Sequence, residues 1–175
     1  MDKRAVERAL ARMAHELVER NSGVENLCLM GVQRRGVQLS QMIAAEIERA
    51  EGVAPTLGTI DITLYRDDLT AIGPRPVLGE TRLPDGGIDG VRLVIVDDVF
   101  YTGRTARAAL DELADFGRPE RIWLCVLVDR GGRELPIRPD VVGKVIDAGP
   151  ARRVEVLVPD LDGKLAVELI GGGSK

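Results

Sequence analysis

The chain has 175 residues, of which 45% are hydrophobic and 30% charged. That suits one domain with one core and argues against a disordered or fibrous protein. No apolar run approaches the roughly 18 residues that span a bilayer, and a formal net charge of -4 argues against non-specific coating of nucleic acid. The charged start Met1-Asp2-Lys3-Arg4 leads into a helical pattern, with no signal-peptide core after it. Cys28 and Cys125 each sit inside an apolar run, and there is one histidine. They match no familiar zinc cluster and read as small buried thiols in a reducing, cytoplasmic protein.

Helix and strand patterns alternate along the chain, which predicts a mainly parallel sheet covered by helices. Residues 2–21 form an amphipathic helix on the stripe Val6, Leu10, Met13 and Leu17. A strand over 25–31, a loop over 31–36 and a helix over 36–50 follow. Residues 56–65, rich in β-branched side chains, form the next strand. Residues 66–90 hold Pro74, Pro76, Pro84 and five glycines, and such an insert in a compact domain reads as a functional flap or a disordered loop. Strands over 91–96 and 122–128 flank a helix over 103–117. Shorter strands are expected near 141–146, 154–158 and 165–169, before a frayed glycine-rich tail. The expected division is a single domain over 1–175 with a flexible arm at about 66–90.

The strongest chemical signal is the string Val94-Ile95-Val96-Asp97-Asp98-Val99-Phe100-Tyr101-Thr102-Gly103-Arg104-Thr105-Ala106. A buried strand runs into adjacent carboxylates, and a turn of small and hydroxylated residues then opens a helix. Unpaired N–H groups and the dipole at a helix start favour an anion. Thr102 and Thr105 add hydroxyls, Gly103 permits close approach, and the position at the carboxyl end of a parallel strand is where open α/β sheets bind ligands. Acids beside a phosphate are explained by ribose hydroxyls or a bridging Mg²⁺. An isolated Asp-Asp pair would read as a capped helix start with solvated carboxylates; the whole string reverses that reading. The spacing is not that of a P-loop.

These thirteen residues resemble the phosphoribosyl pyrophosphate (PRPP) motif of type I phosphoribosyltransferases. Four further strings, at residues 11–16, 31–36, 61–69 and 128–138, are similar to one subfamily, the PyrR family of bifunctional pyrimidine operon regulators and uracil phosphoribosyltransferases. The likeness runs in order over about residues 4–158. It implies a type I phosphoribosyltransferase-like twisted, mainly parallel sheet with helices on both faces, plus a small hood formed by the 61–90 arm and chain-end strands. It also implies transfer of phosphoribosyl from PRPP to uracil, giving uridine monophosphate (UMP) and pyrophosphate. In the resembling family the paired acids, here Asp97 and Asp98, hold the ribose hydroxyls, and they would hold Mg²⁺ directly or indirectly. Val99, Phe100, Tyr101, Thr102, Gly103, Arg104 and Thr105 would hold the 5′-phosphate.

Residues 31–36 carry Arg34-Arg35 between glycines, a turn that is either a pyrophosphate site or a solvated surface turn. The resemblance implies pyrophosphate, with Arg34 where the family has threonine. Arg66, at the root of the insert, either stabilises the leaving pyrophosphate under a cover that excludes water or belongs to a solvated charge cluster. Asp129, Arg130 and the backbone near Val154 would hold uracil, with Gly132 where the family has histidine.

Arg4, Arg8, Arg12 and His15 lie opposite the apolar stripe of the first helix. Between residues 130 and 153 there are six basic residues against three acidic ones. A solvated face with i, i+4 ion pairs is the plain reading. The regulator resemblance implies an mRNA hairpin surface on Arg12, His15, Arg133, Arg138 and Lys144, with uridine nucleotides as the signal. Ala11 stands where the family has threonine. A homo-oligomer is also implied. The alternative is a phosphoribosyltransferase only, on uracil or another nucleobase, without RNA regulation.

Overall fold

The computed structural model describes residues 1–62 and 80–171. Helix α1 (Lys3–Asn21) begins where Asp2 accepts a hydrogen bond from Ala5 N–H at 2.8 Å, satisfying one of the orphan amides of a helix start. Its apolar stripe is buried throughout. It ends at Ser22 in the left-handed conformation, whose N–H returns to the last turn. Strand β1 (Leu27–Val32) is buried at every position, as a central parallel strand covered on both faces must be. Helix α2 (Arg35–Glu51) and edge strand β2 (Thr56–Ile60) follow, then β3 (Arg92–Phe100), α3 (Arg104–Ala114), β4 (Arg121–Asp129) and β5 (Val141–Val145).

These strands form one parallel sheet in the order β2-β1-β3-β4-β5. Helices α1 and α2 pack on one face, around Leu10, Leu17, Leu39 and Ile43. Helix α3 covers the other through Ala108, Ala109 and Leu113. Truncating one such fully buried leucine costs about 2–5 kcal/mol. Cys28 and Cys125 are both buried and free, as expected; burial pushes both thiols above their ordinary range.

The chain leaves β1 toward β2 on one side and returns to β3 on the other. A crevice therefore opens between the carboxyl ends of β1 and β3, the switch point where such sheets bind ligands. Pairing with β1 stops at Val96, whereas pairing with β4 continues to Phe100. This corrects the sequence-based end of the strand: Asp97 and Asp98 lie within β3, on the stretch that has outrun β1.

After β5, β6 (Arg153–Leu157) and β7 (Ala166–Ile170) form a separate antiparallel hairpin around the short helix α4 (Pro159–Asp162). Its Val154, Val156, Val158 and Val167 join the core beneath α1 and α2. The chain-end part of the expected hood is thus present. The described ends of the 61–90 segment run along the outer edge of β2, where Thr59 and Arg82 exchange backbone hydrogen bonds, and Glu80 and Arg82 share a depression with Leu161 of α4. Residues 80–90 of the expected arm belong to the folded body, with Ile88 buried and Gly90 N–H bonded to Arg118 O. The remainder, 66–79 with Arg66, lies outside the described residues.

Candidate active site

The end of β3 and the start of α3 enclose a cavity of about 430 Å³ lined by Asp97, residues 99–106 and Leu124. The whole proposed phosphate loop therefore faces one space. Gly103 caps α3 with φ +95° and has no side chain to cap it, while Thr102 Oγ1 accepts the Arg104 N–H at 3.3 Å. A left-handed cap without a side chain leaves the helix start next to the cavity with the dipole's positive end toward it, its first amide shared with the Thr102 hydroxyl. The loop is braced from behind. Thr102 O accepts hydrogen bonds from Glu134 N–H at 3.0 Å and Leu135 N–H at 3.2 Å, and Arg104 pairs with Glu134.

The two acids are turned to different neighbours, as successive residues of a strand must be. Asp97 lines the cavity, while the charge of Asp98 is felt at Arg35 on α2. Each carboxylate accepts the next amide: Asp97 from Asp98 N–H at 2.9 Å and Asp98 from Val99 N–H at 2.8 Å. That fixes both side chains before any ligand arrives. Gly36 brings α2 directly against this point, because a Cβ there would overlap the Val96 carbonyl oxygen. Among the described residues, no three His, Cys, Asp or Glu side chains could hold a metal together. Two carboxylates fit Mg²⁺, which is commonly held by one or two protein carboxylates, with substrate phosphates and water completing its shell.

The Gln33–Arg34 peptide is cis, and Arg34 is exposed. Arg34 lines a depression of about 350 Å³ with Gln33, Gln38, Glu80 and Leu161, so the turn, the arm root and α4 meet there. Arg35 is not free. Its Nε and Nη2 donate to the two carboxylate oxygens of Asp162 at 3.2 and 3.0 Å, and Glu155 stands 3.9 Å away. The Asp162 hydrogen bond raises the Arg35 pKa, and the same fork, with Val158 N–H, holds the Asp162 carboxyl below its ordinary value.

Arg130 is fastened in the same way. Its Nη2 donates to Gly149 O at 2.9 Å and Arg152 O at 2.8 Å, and its guanidinium lies 4.0 Å from the centre of the Tyr101 ring. Tyr101, Arg130, Gly132, Asp147 and Gly149 border a cavity of about 220 Å³. Gly132 makes room for that stacking: a Cβ there would overlap the Tyr101 ring, and φ is +85°. Asp129 accepts from Gly131 N–H at the end of β4. Val154 points into the core; the backbone that reaches Arg130 is that of Arg152, two residues earlier.

On the remote face, Arg12 and His15 line an open depression with Glu16, Glu19 and Arg20. Arg12 Nη2 donates to Val142 O at 3.0 Å and Gly143 O at 2.6 Å, and Arg20 donates to Asp140 O at 3.0 Å. These bonds seam α1 to β5 and put exposed Lys144 beside the anchor point of Arg12, with exposed Arg138 just ahead of Asp140. Arg133 is placed apart from them, next to Glu134 and the phosphate loop. Sequence reasoning missed Asp162, Glu155 and the Tyr101–Arg130 stack. Pro159 followed by Gly163, the left-handed cap of α4, was a local signal for that turn, but no local signal marks its pairing with a residue 127 positions away.

A family profile described as "Phosphoribosyl transferase domain" matches residues 1–156. The chain is 54% identical over 169 residues to the "Bifunctional protein PyrR" of Thermus thermophilus, covering 97% of this chain and 93% of that protein. The Acetivibrio thermocellus protein of the same name is 51% identical over 163 residues, 93% of this chain and 88% of that one. Among solved structures, the hypoxanthine phosphoribosyltransferase of Trypanosoma cruzi superposes with a TM-score of 0.73 at 18% identity, over 99% of this chain and 95% of that one. At that identity the likeness is one of fold. No described helix is long and apolar enough to cross a membrane.

Proposed function

The chain belongs to the phosphoribosyl transferase family and, within it, to the bifunctional PyrR proteins, and from that premise we propose that it makes UMP and pyrophosphate from uracil and PRPP and binds pyrimidine-operon mRNA in response to uridine nucleotides. The observation that carries the enzymatic reading is the cavity itself: Asp97, residues 99–106 and Leu124 line it. In the proposed reaction the bond from C1′ to pyrophosphate breaks, the bond from C1′ to uracil N1 forms, and the N1 proton leaves to solvent. Asp97 and Asp98 fix the ribose, the amides at Gly103–Thr105 hold the 5′-phosphate, and Arg34 and Arg35 face the leaving pyrophosphate. Arg130 and Asp129 border the base subsite. Asp97 and Asp98 would also hold magnesium, which when bound supplies charge neutralisation at the departing group. Positioning and charge stabilisation, without a covalent nucleophile, then account for the rate.

For the regulatory half, the support is the exposed seam of Arg12, His15, Arg138 and Lys144. Aromatics make up only 3% of the chain, so a stacking platform for single strands is not available and cationic contacts to a shaped hairpin fit better. The reading includes a cytoplasmic setting and a homo-oligomer. Assays of UMP formation with uracil, set against hypoxanthine, test the enzyme. A gel shift with pyrimidine-operon leader RNA, with and without UMP, tests the regulator. Turnover of hypoxanthine alone would overturn the base assignment, and equal affinity for unrelated RNA would leave a phosphoribosyltransferase only.

A further inference from the structure

Arg35 presents two edges. The Nε–Nη2 edge is taken by Asp162, in a two-point fork, with Glu155 beyond hydrogen-bond distance behind it. The Nη1 group donates to nothing among the described residues. An arginine side chain is long and flexible, and its guanidinium is planar, so seizing one edge fixes the direction of the other. Asp162 is itself fixed: its Oδ2 also accepts Val158 N–H at 2.8 Å, which ties the carboxylate to the backbone at the start of α4. Asp162 is 17% exposed and Arg35 28%, so the pair is partly shielded from water. Asp98 is near enough for its charge to act on the Arg35 guanidinium. A ligand anion arriving at the Gln33–Arg34 turn thus meets an arginine already aimed by the hairpin.

We propose that Asp162 is a positioning residue for pyrophosphate: it grips the Nε–Nη2 edge of Arg35 and so presents Nη1 to the leaving group of PRPP. This rests on the reading of the Arg34–Arg35 turn as the pyrophosphate subsite. It gives the small hairpin, which supplies no cavity-lining side chain at the phosphate loop, a part in the chemistry. It also sets a direction. A carboxylate that orients an arginine strengthens ligand binding, whereas one that merely competes for the arginine weakens it.

The test compares Asp162→Asn with the wild-type chain in magnesium, by steady-state kinetics and by calorimetry with PRPP, pyrophosphate and UMP. Asparagine can still accept Val158 N–H, so the turn is kept while the charged fork is lost. KM for PRPP and Kd for pyrophosphate should rise about tenfold, as expected when a binding group is misplaced. KM for uracil and Kd for UMP, which carries no pyrophosphate, should stay unchanged. Asp162→Glu should recover part of the loss. Asp160→Asn, which removes the same charge from the same turn without touching Arg35, should have no effect. Three results would overturn the assignment: pyrophosphate bound equally or more tightly by Asp162→Asn, UMP weakened in parallel, or the same loss in Asp160→Asn. Should Asp162→Asn prove too unstable to bind UMP, Asp162→Glu decides, by weakening PRPP alone or not at all. A wild-type chain that bound neither PRPP nor pyrophosphate would instead refute the phosphoribosyl reading as a whole.

Discussion

At the nucleotide end, the phosphate loop offers mostly backbone: a left-handed glycine, the opening amides of α3 and a strand that outruns its neighbour. Along the seam of α1 and β5, the face that could meet RNA offers side chains, and two of them, Arg12 and Arg20, are already engaged with the protein's own carbonyls. The difference teaches that a cation's position on a surface does not establish its availability. Arg12 has an ion pair with Glu16 at 3.8 Å, which for an exposed i, i+4 pair is worth about 0.3–0.5 kcal/mol. Its two bonds to carbonyl oxygens involve a charged donor, a kind of bond worth about 1.5–3 kcal/mol, so fastening the helix to the sheet edge is its larger structural role. The side chains of Lys144 and Arg138, by contrast, make no hydrogen bond or ion pair with another described residue.

The sharpest way to break the backbone side of this comparison is Gly103→Val. A β-branched residue is a poor fit to φ +95°, yet a Cβ there would meet nothing closer than Leu135 Cβ at 3.4 Å. The fold should survive while the cap changes conformation. Affinity for both UMP and PRPP should fall by more than about 100-fold, the scale on which small misplacements act. A variant with normal UMP affinity in calorimetry would show that the loop is not the cradle.

Asp98→Asn comes next. The acid is anchored by Val99 N–H and lies past the β1-paired core of β3, so its loss of charge should leave the melting temperature nearly unchanged. Hydrogen bonds to a charged group are worth about 1.5–3 kcal/mol, which implies PRPP binding weakened roughly 10- to 100-fold. Unchanged PRPP affinity would remove Asp98 from the ribose and metal role.

How much of this was legible in the sequence follows the same division. The α1 stripe, the buried β1 and β4 and the loop 97–106 were readable because each is local: a period of 3.6, an unbroken apolar run, a strand–turn–helix string. The true end of β3 was not, because Asp97-Asp98 interrupts the apolar run while β4 goes on pairing alongside. The arm's end at 80–90 read as irregular from its glycines and prolines, but Ile88 anchors it in the core. The Arg35–Asp162 fork, the Arg12 clamp and the stack of Tyr101 on Arg130 each depend on segments that only the folded chain brings together. The turn Arg34–Arg35 looked like two free cations, and the structure holds one of them in a fork.

Arg12→Ala should act on both sides of the comparison. Removing the clamp to Val142 O and Gly143 O should destabilise the protein by about 1.5 kcal/mol, the low end for charged hydrogen bonds because the side chain is 53% exposed. Chemical denaturation reads this directly. Any fall in RNA affinity in that variant therefore cannot be assigned to a lost phosphate contact until stability is measured, and a variant of unchanged stability would mean the clamp is worth no more than the exposed ion pair.

The smallest effect, and the cleanest on the RNA side, belongs to Lys144→Ala. Lys144 is exposed near the end of edge strand β5, next to the carbonyl of Gly143 that anchors Arg12, so truncating it should change stability by less than about 0.5 kcal/mol. A protein of net charge -4 can hold a polyanion only through a patch whose local field exceeds its average. If Lys144 neutralises one phosphate of the hairpin, the slope of log affinity against log salt should flatten by about one unit. Uracil transfer should be unchanged, because none of the cavities at the nucleotide end is lined by Lys144. The same salt titration on Arg138→Ala should give a similar flattening, since Arg138 also stands beside the seam. Identical salt slopes in wild type and both variants would place the RNA on some other face, and the α1–β5 seam would then be a structural joint alone.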